Sequence, residues 1–225
     1  MNNQRINIFT GHFGSGKTEI AVNYAIHLKK HYHKVAIVDL DIVNPYFRTK
    51  DARQLLERKG IKVVASAFAG TNIDLPSLPP EIFSMFHNKD YQIVFDVGGD
   101  DRGAIALSRY RQYFSDESYH MFFVINCKRP MTKDAASTLE ILREVEQRSR
   151  LKVSSLINNT NLSHCTNVDD LLIGQSQIEE VSKEMAVPIS FITGGSEVLG
   201  QLPEYLKPKA FPIELYLRFP WEEST

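Results

Sequence analysis

Short apolar runs recur along the chain: INIFT (6–10), VAIVDL (35–40), IKVVASAF (61–68), YQIVFDV (91–97), HMFFVIN (120–126), KVSSLIN (152–158) and VPISFIT (187–193). Each is too short for a helix, and its apolar residues are consecutive rather than alternate, which is the pattern of a strand buried on both faces. Between the runs the spacing turns helical. Ile20, Tyr24 and Leu28 share one face, as do Ala135, Leu139 and Leu142, and later Ile178, Val181 and Met185. Strands alternating with helices predict an α/β fold. The expected architecture is a mostly parallel sheet of about seven strands with helices on both faces, holding ligands at the carboxyl ends of its strands.

Two segments leave this rhythm. Segment 70–80, GTNIDLPSLPP, is rich in turn residues and reads as a surface loop before a short helix at 81–87. Between Pro212 and Pro220, Ile213, Leu215, Leu217 and Phe219 alternate with Glu214, Tyr216 and Arg218, the period of a half-buried strand. The stretch 207–225 is therefore expected as an edge strand or strap on the domain, with a partner-docking surface as the other reading. A membrane-lying amphipathic helix does not fit, because the period is two and prolines bound the run. With no repeat or linker, residues 1–225 read as a single domain.

Composition narrows the function classes. With 43% hydrophobic and 24% charged residues the chain suits an ordinary globular protein, which excludes disorder and membrane channels. A net charge of −1 leaves no broad basic surface, so nucleic acid is not an expected partner. Cys127 and Cys165 form no CxxC pair, which speaks against a thiolate metal centre and for a reducing, cytoplasmic setting. The opening MNNQRINIFT carries no apolar leader and no span, so no membrane anchor is expected.

The chemistry is concentrated after the first strand. Gly11, His12, Phe13, Gly14, Ser15, Gly16, Lys17 and Thr18 fit GxxxxGK[ST]. Glycines at these places let consecutive N–H groups turn inward onto phosphate oxygens, and the following helix adds its positive N-terminal dipole. Lys17 would reach the β- and γ-phosphates while the Thr18 hydroxyl coordinates magnesium. Glu19 stands where a GxGxxG fingerprint needs glycine, which disfavours a dinucleotide. The fourth strand ends in Asp96-Val97-Gly98-Gly99, delivering one carboxylate for magnesium and a flexible pair whose backbone N–H, at Gly99, could approach the γ-phosphate. The second strand ends in Asp39-Leu40-Asp41, of which one aspartate could orient an attacking water, or the pair could belong to a loop-stabilising Asx turn. Asn158, closing the sixth strand, could pair with a purine or serve as a turn residue.

Together these motifs resemble the MinD/ParA group of P-loop ATPases, the CobQ/CobB/MinD/ParA-type nucleotide-binding domains that include the nitrogenase iron protein and the Mrp-type cluster carriers. The resemblance runs from Ile6 to about Thr193 and implies a three-layer α/β/α P-loop NTPase fold. It assigns Asp41 to the hydrolytic water, Asp96 and Gly99 to the second switch, and Asn158 to the base. By the same resemblance Lys17, Asp41 and Asp96 carry catalysis, and Thr18, Asp96 and Asp41 make up the magnesium set. The implied function is a slow magnesium-dependent ATPase switch that binds ATP and ADP, closes as a nucleotide-dependent homodimer and acts on a partner protein. The chain departs from the group's KGGxGK[ST] motif: His12 and Phe13 stand where a lysine and a glycine would. A histidine, with an ordinary pKa near 6.5, is only a partial substitute for that lysine. Either hydrolysis slows, another cation such as Arg102 or Lys128 supplies the charge, or the ATP-sandwich dimer is not used. The missing CxxC argues against cluster carriage.

A small-molecule kinase with the 70–80 loop as lid, and a non-hydrolysing regulatory module, are the alternative readings. His27, His31 and His33 lie among lysines at a helix end and read as a solvated turn rather than a metal site. Tyr46, Phe47 and Arg48 follow the first switch and read as partner contacts or as packing.

Overall fold

A computed structural model describes residues 4–41, 53–65, 80–99, 101–116 and 119–216. The 70–79 part of the turn-rich loop, Tyr46, Phe47, Arg48 and the end of the tail lie outside these residues, as does the side chain of Arg102.

Each apolar run becomes a strand: β1 Ile6–Thr10, β2 Val35–Leu40, β3 Lys62–Ala65, β4 Gln92–Val97, β5 Tyr119–Ile125, β6 Ser155–Asn158 and β7 Ile189–Gly194. A short eighth strand, β8, spans Ala210–Pro212. All pair in parallel in one sheet of order β3-β2-β4-β1-β5-β6-β7-β8. Parallel strands need crossovers, which are supplied by α1 (Lys17–Lys29), α2 (Arg53–Arg58), α3 (Pro80–His87), α4 (Asp101–Ser108), α5 (Arg111–Asp116), α6 (Ala135–Ser149), α7 (Val168–Met185) and α8 (Ser196–Gly200).

The pleat divides the apolar residues between two cores. Ile6 and Ile8, Ala36 and Val38, Ile93 and Phe95, Met121 and Phe123 face one side, where Phe86 of α3, Leu107 of α4, Leu142 of α6 and Ile178 of α7 cover them. The intervening Phe9, Ile37, Val94 and Phe122 face the other, against Ile20, Tyr24 and Leu28 of α1 and Leu56 of α2. The result is a helix layer on each face of a sheet buried on both, as consecutive apolar residues require.

The tail takes both of the forms expected of it, a short edge strand and then a strap. The alternation predicts a strand over 212–220, yet residues 213–216 are irregular and the pairing falls earlier, with Ala210, Phe211 and Pro212 opposite Ile192, Thr193 and Gly194. The reason is a competing partner for the backbone. The Asn23 amide grips residue 214 from both sides, its Nδ2 donating to the Glu214 carbonyl at 2.8 Å and its Oδ1 accepting from Glu214 N at 2.9 Å. One turn earlier, Glu19 Oε1 accepts from Tyr216 N at 2.6 Å. The segment thus crosses the outer face of α1, and Phe211 packs with Phe191 and Tyr24. Sheet on one side and strap on the other leave every α1 residue from Lys17 to Ala25 buried.

The Asn23→Ala substitution strips the Glu214 backbone of both partners. A destabilisation of about 1–3 kcal/mol is expected in urea denaturation, and an unchanged midpoint would show that the strap contributes nothing to α1.

Candidate functional site

Between β1 and α1 the chain must turn sharply, and its glycines sit where the turn demands them. A Cβ on Gly11 would lie 2.3 Å from the Val124 carbonyl of β5, so the loop can start only by pressing bare backbone against the next strand. Gly14 and Gly16 have φ of 75° and 84°, the left-handed region that L side chains avoid. Gly16 caps α1 without any side-chain hydrogen bond, so no capping side chain competes with an anion at this helix end. Ser15 Oγ is buried and has no hydrogen-bond partner among the described residues.

Asn159 fixes this loop from across the sheet. Its Nδ2 donates to the Ser15 carbonyl at 2.7 Å, and its Oδ1 accepts from the Thr193 hydroxyl at 2.7 Å. A Cβ on Gly16 would come within 2.3 Å of the same Nδ2, so this brace requires glycine there. Asn158, one residue earlier, points the opposite way. It is fully buried, its Nδ2 donates to the Leu171 carbonyl and to Gln175 Oε1, and its Oδ1 accepts from Thr160 N. The structure therefore turns the purine-reading candidate into α7, away from the phosphate-binding loop.

The acidic groups meet at the carboxyl ends of β2 and β4. Asp39 and Asp96 are register partners on these neighbouring strands. Asp41 follows, its N–H donating to Asp39 Oδ1 at 2.9 Å, and its carboxylate lies 3.9 Å from Lys17 Nζ with both side chains buried. Asp96 is fully enclosed, and neither of its oxygens makes a hydrogen bond of full geometry, although the Thr18 hydroxyl lies beside it. Burial raises its pKa well above the ordinary carboxylate value, Lys17 pulls it back in part, and Asp39 and Asp41 push it further up. A buried carboxylate next to a hydroxyl and two more acids fits a magnesium ion.

Gly99 completes this side of the site. A Cβ there would lie 2.6 Å from both the Gly11 carbonyl and Phe13 N, so the chain after Asp96 runs directly on the phosphate-binding loop. His12 Nδ1 lies 3.0 Å from the Phe13 carbonyl, and Phe13 itself is 55% exposed at the rim. Lys128, considered above as a replacement cation, is bound to Asp170 at 2.6 Å, which lowers the pKa of that carboxyl. The sequence reading missed Arg129 and Asn159. Arg129 Nε donates to the Gly14 carbonyl at 3.0 Å across 115 residues of chain. Asn159 stood in view beside the chosen Asn158, and only the pleat distinguishes the two.

Because Asp96 holds its proton to higher pH in the folded chain than in the unfolded one, its favourable contribution is complete below pH 3.8 and fades as pH rises through the raised folded value. Asp96→Asn keeps the shape and removes the charge. Without ligand, its stability relative to wild type is expected to be higher at pH 8 than at pH 5 in denaturant titrations, and a difference independent of pH would contradict the raised pKa.

No protein-family model matches the chain, and neither does any curated protein. Solved structures do. The signal recognition particle receptor FtsY from Elizabethkingia anophelis superposes with a TM-score of 0.56 at 17% identity over 92% of this chain and 64% of that one. The same receptor in complex with GDP gives 0.54 at 16% identity, over 87% and 58%. A nucleotide-binding protein from Archaeoglobus fulgidus in complex with ADP gives 0.51 at 16% identity, over 96% and 94%. The chain thus spans less than two thirds of the FtsY structures and nearly the whole of the archaeal one. What these neighbours share with it is the fold: an all-parallel, three-layer α/β/α P-loop NTPase architecture.

Proposed function

We propose that the chain is a magnesium-dependent nucleotide switch that binds ATP, hydrolyses it slowly to ADP and phosphate, and passes the change to a partner protein. The observation that carries this reading is the meeting of Lys17, Asp41, Thr18 and Asp96 beneath a loop of left-handed glycine turns that opens α1. Thr18 and Asp96 would hold magnesium, with Asp41 close by, and the ion would neutralise charge that builds up between the β- and γ-phosphates. Lys17, which leans on Asp41 without ligand, would move to phosphate oxygens. Asp41 would then be released to accept a hydrogen bond from the attacking water. Gly99, against the loop at Gly11 and Phe13, would feel the terminal phosphate and relay its loss to α4.

Adenine is favoured over guanine because the loop from Asn159 to Asn167 contains no Asp or Glu, and reading guanine's N1–H and amino group calls for paired acceptors. The ADP-bound archaeal neighbour agrees with this and the GDP-bound receptor does not. A cytoplasmic setting, the protein partner and closure as a nucleotide-dependent homodimer belong to the same proposal. Among the described residues no helix is long and apolar enough to cross a membrane.

Calorimetry and phosphate release test the reading. Wild type is expected to bind ATP more tightly than GTP and to release phosphate slowly, with a rate per subunit that climbs with protein concentration if closure is required. Lys17→Ala is expected to lose roughly 10- to 100-fold in ATP affinity, the value of hydrogen bonds to a charged group. Full affinity in that variant would overturn the proposal, and preference for GTP would overturn its adenine part.

A further inference from the structure

We propose that Arg129 binds the terminal phosphate of the nucleotide and is the cation that the phosphate-binding loop itself does not carry beyond Lys17. The proposal rests on the nucleotide-binding reading above and adds a residue to it.

Four observations support it. First, position: Arg129 Nε donates to the Gly14 carbonyl at 3.0 Å, and a Cβ on Gly14 would lie 3.3 Å from Nε and 3.5 Å from Cζ, so the guanidinium covers the middle of the loop. The residues immediately before Gly14, from Gly11 to Phe13, are the ones pressed by Gly99, downstream of Asp96. Arg129 follows β5, which borders β1 on the side opposite β4, so it reaches the loop from the side opposite Asp96 and Gly99, and a polyphosphate seated on the loop would lie between the two. Second, rigidity: Arg129 N donates to the Asn126 carbonyl, Thr132 N donates to the Arg129 carbonyl, and the buried Thr132 hydroxyl closes back on Asn126 at 2.7 Å. The Asn126 side chain is itself fixed, accepting from Lys128 N and Asn161 N.

Third, availability: apart from the Gly14 carbonyl, the Arg129 side chain has no hydrogen-bond or ion-pair partner among the described residues, in contrast to Lys128 on Asp170. Fourth, chemistry: with Nε engaged, the remaining guanidinium N–H groups form a planar, permanently charged fork that matches phosphate oxygens. A triphosphate lowered onto the loop beside Asp41 and Asp96 adds negative charge to an acidic site, and an arginine held by a neutral carbonyl can meet that charge without breaking an ion pair.

The test compares magnesium-ADP with a magnesium-bound non-hydrolysable ATP analogue by calorimetry on the full chain, using R129Q and R129K. Gln keeps a donor for the Gly14 carbonyl and loses the charge, whereas Lys keeps the charge. R129Q is expected to weaken the analogue roughly 10- to 100-fold, as for a lost hydrogen bond to a charged group, while ADP affinity stays unchanged. R129K is expected to regain part of the loss, and kcat for phosphate release is expected to follow the analogue. Equal losses for ADP and analogue would make Arg129 a brace of the loop and overturn the proposal, as would no loss for either. If wild type binds neither ligand, the nucleotide reading fails, and this proposal fails with it. Arg129 is exposed, so neither substitution disturbs the core.

Discussion

The cost of enclosing Asp96 organises the molecule. A carboxylate at the end of β4, sealed from water and flanked by Asp39 and Asp41, is tolerable in apolar surroundings only when it holds a proton or when positive charge arrives. Lys17 offsets part of that cost, and its approach to Asp41 depends on where α1 begins. The start of α1 is set by the left-handed glycines before it. Strand register, loop conformation and helix start therefore converge on one electrostatic requirement, which under the proposed function a metal ion beside a polyphosphate would meet.

The phosphate-binding loop does not stand on its own sequence. Its carbonyls are caught by residues from the far half of the sheet, Ser15 by Asn159 and Gly14 by Arg129. Asn159 is in turn locked by Thr193 at the end of β7. Three successive strand ends thus contribute to one cradle. A change of register anywhere from β5 to β7 would reach the phosphate site through two hydrogen bonds.

Much of this was legible in the sequence, for a definite reason. The loop Gly11–Thr18 is contiguous, and its function depends on residue types at fixed spacing, so it can be read directly. The buried strands reveal themselves through unbroken apolar runs. What could not be read are the choices made by the third dimension. Asn158 and Asn159 differ only in which face of the pleat they occupy, and the face belonging to the phosphate loop is known only once β6 is placed in the sheet. Arg129 lies far from Gly14 in sequence and matches no pattern. The tail's period-two alternation left an edge strand and a strap both open, and only the contacts show how the two are divided: β8 pairs with β7, while the residues after it run as a strap held by Asn23 and Glu19.

The strap also bears on how the protein comes into being. α1 leaves the ribosome well before its partners at Glu214 and Tyr216, which follow 191 and 197 residues after Asn23 and Glu19. Throughout that interval the outer face of α1, the helix that carries Lys17 and Thr18, has no cover. Contacts this distant in sequence form late, because the loop they close is long. The cover of α1 is thereby tied to synthesis through Tyr216: a nascent chain that had not reached it would hold Gly11–Thr18 in full yet leave the helix that follows open on one side.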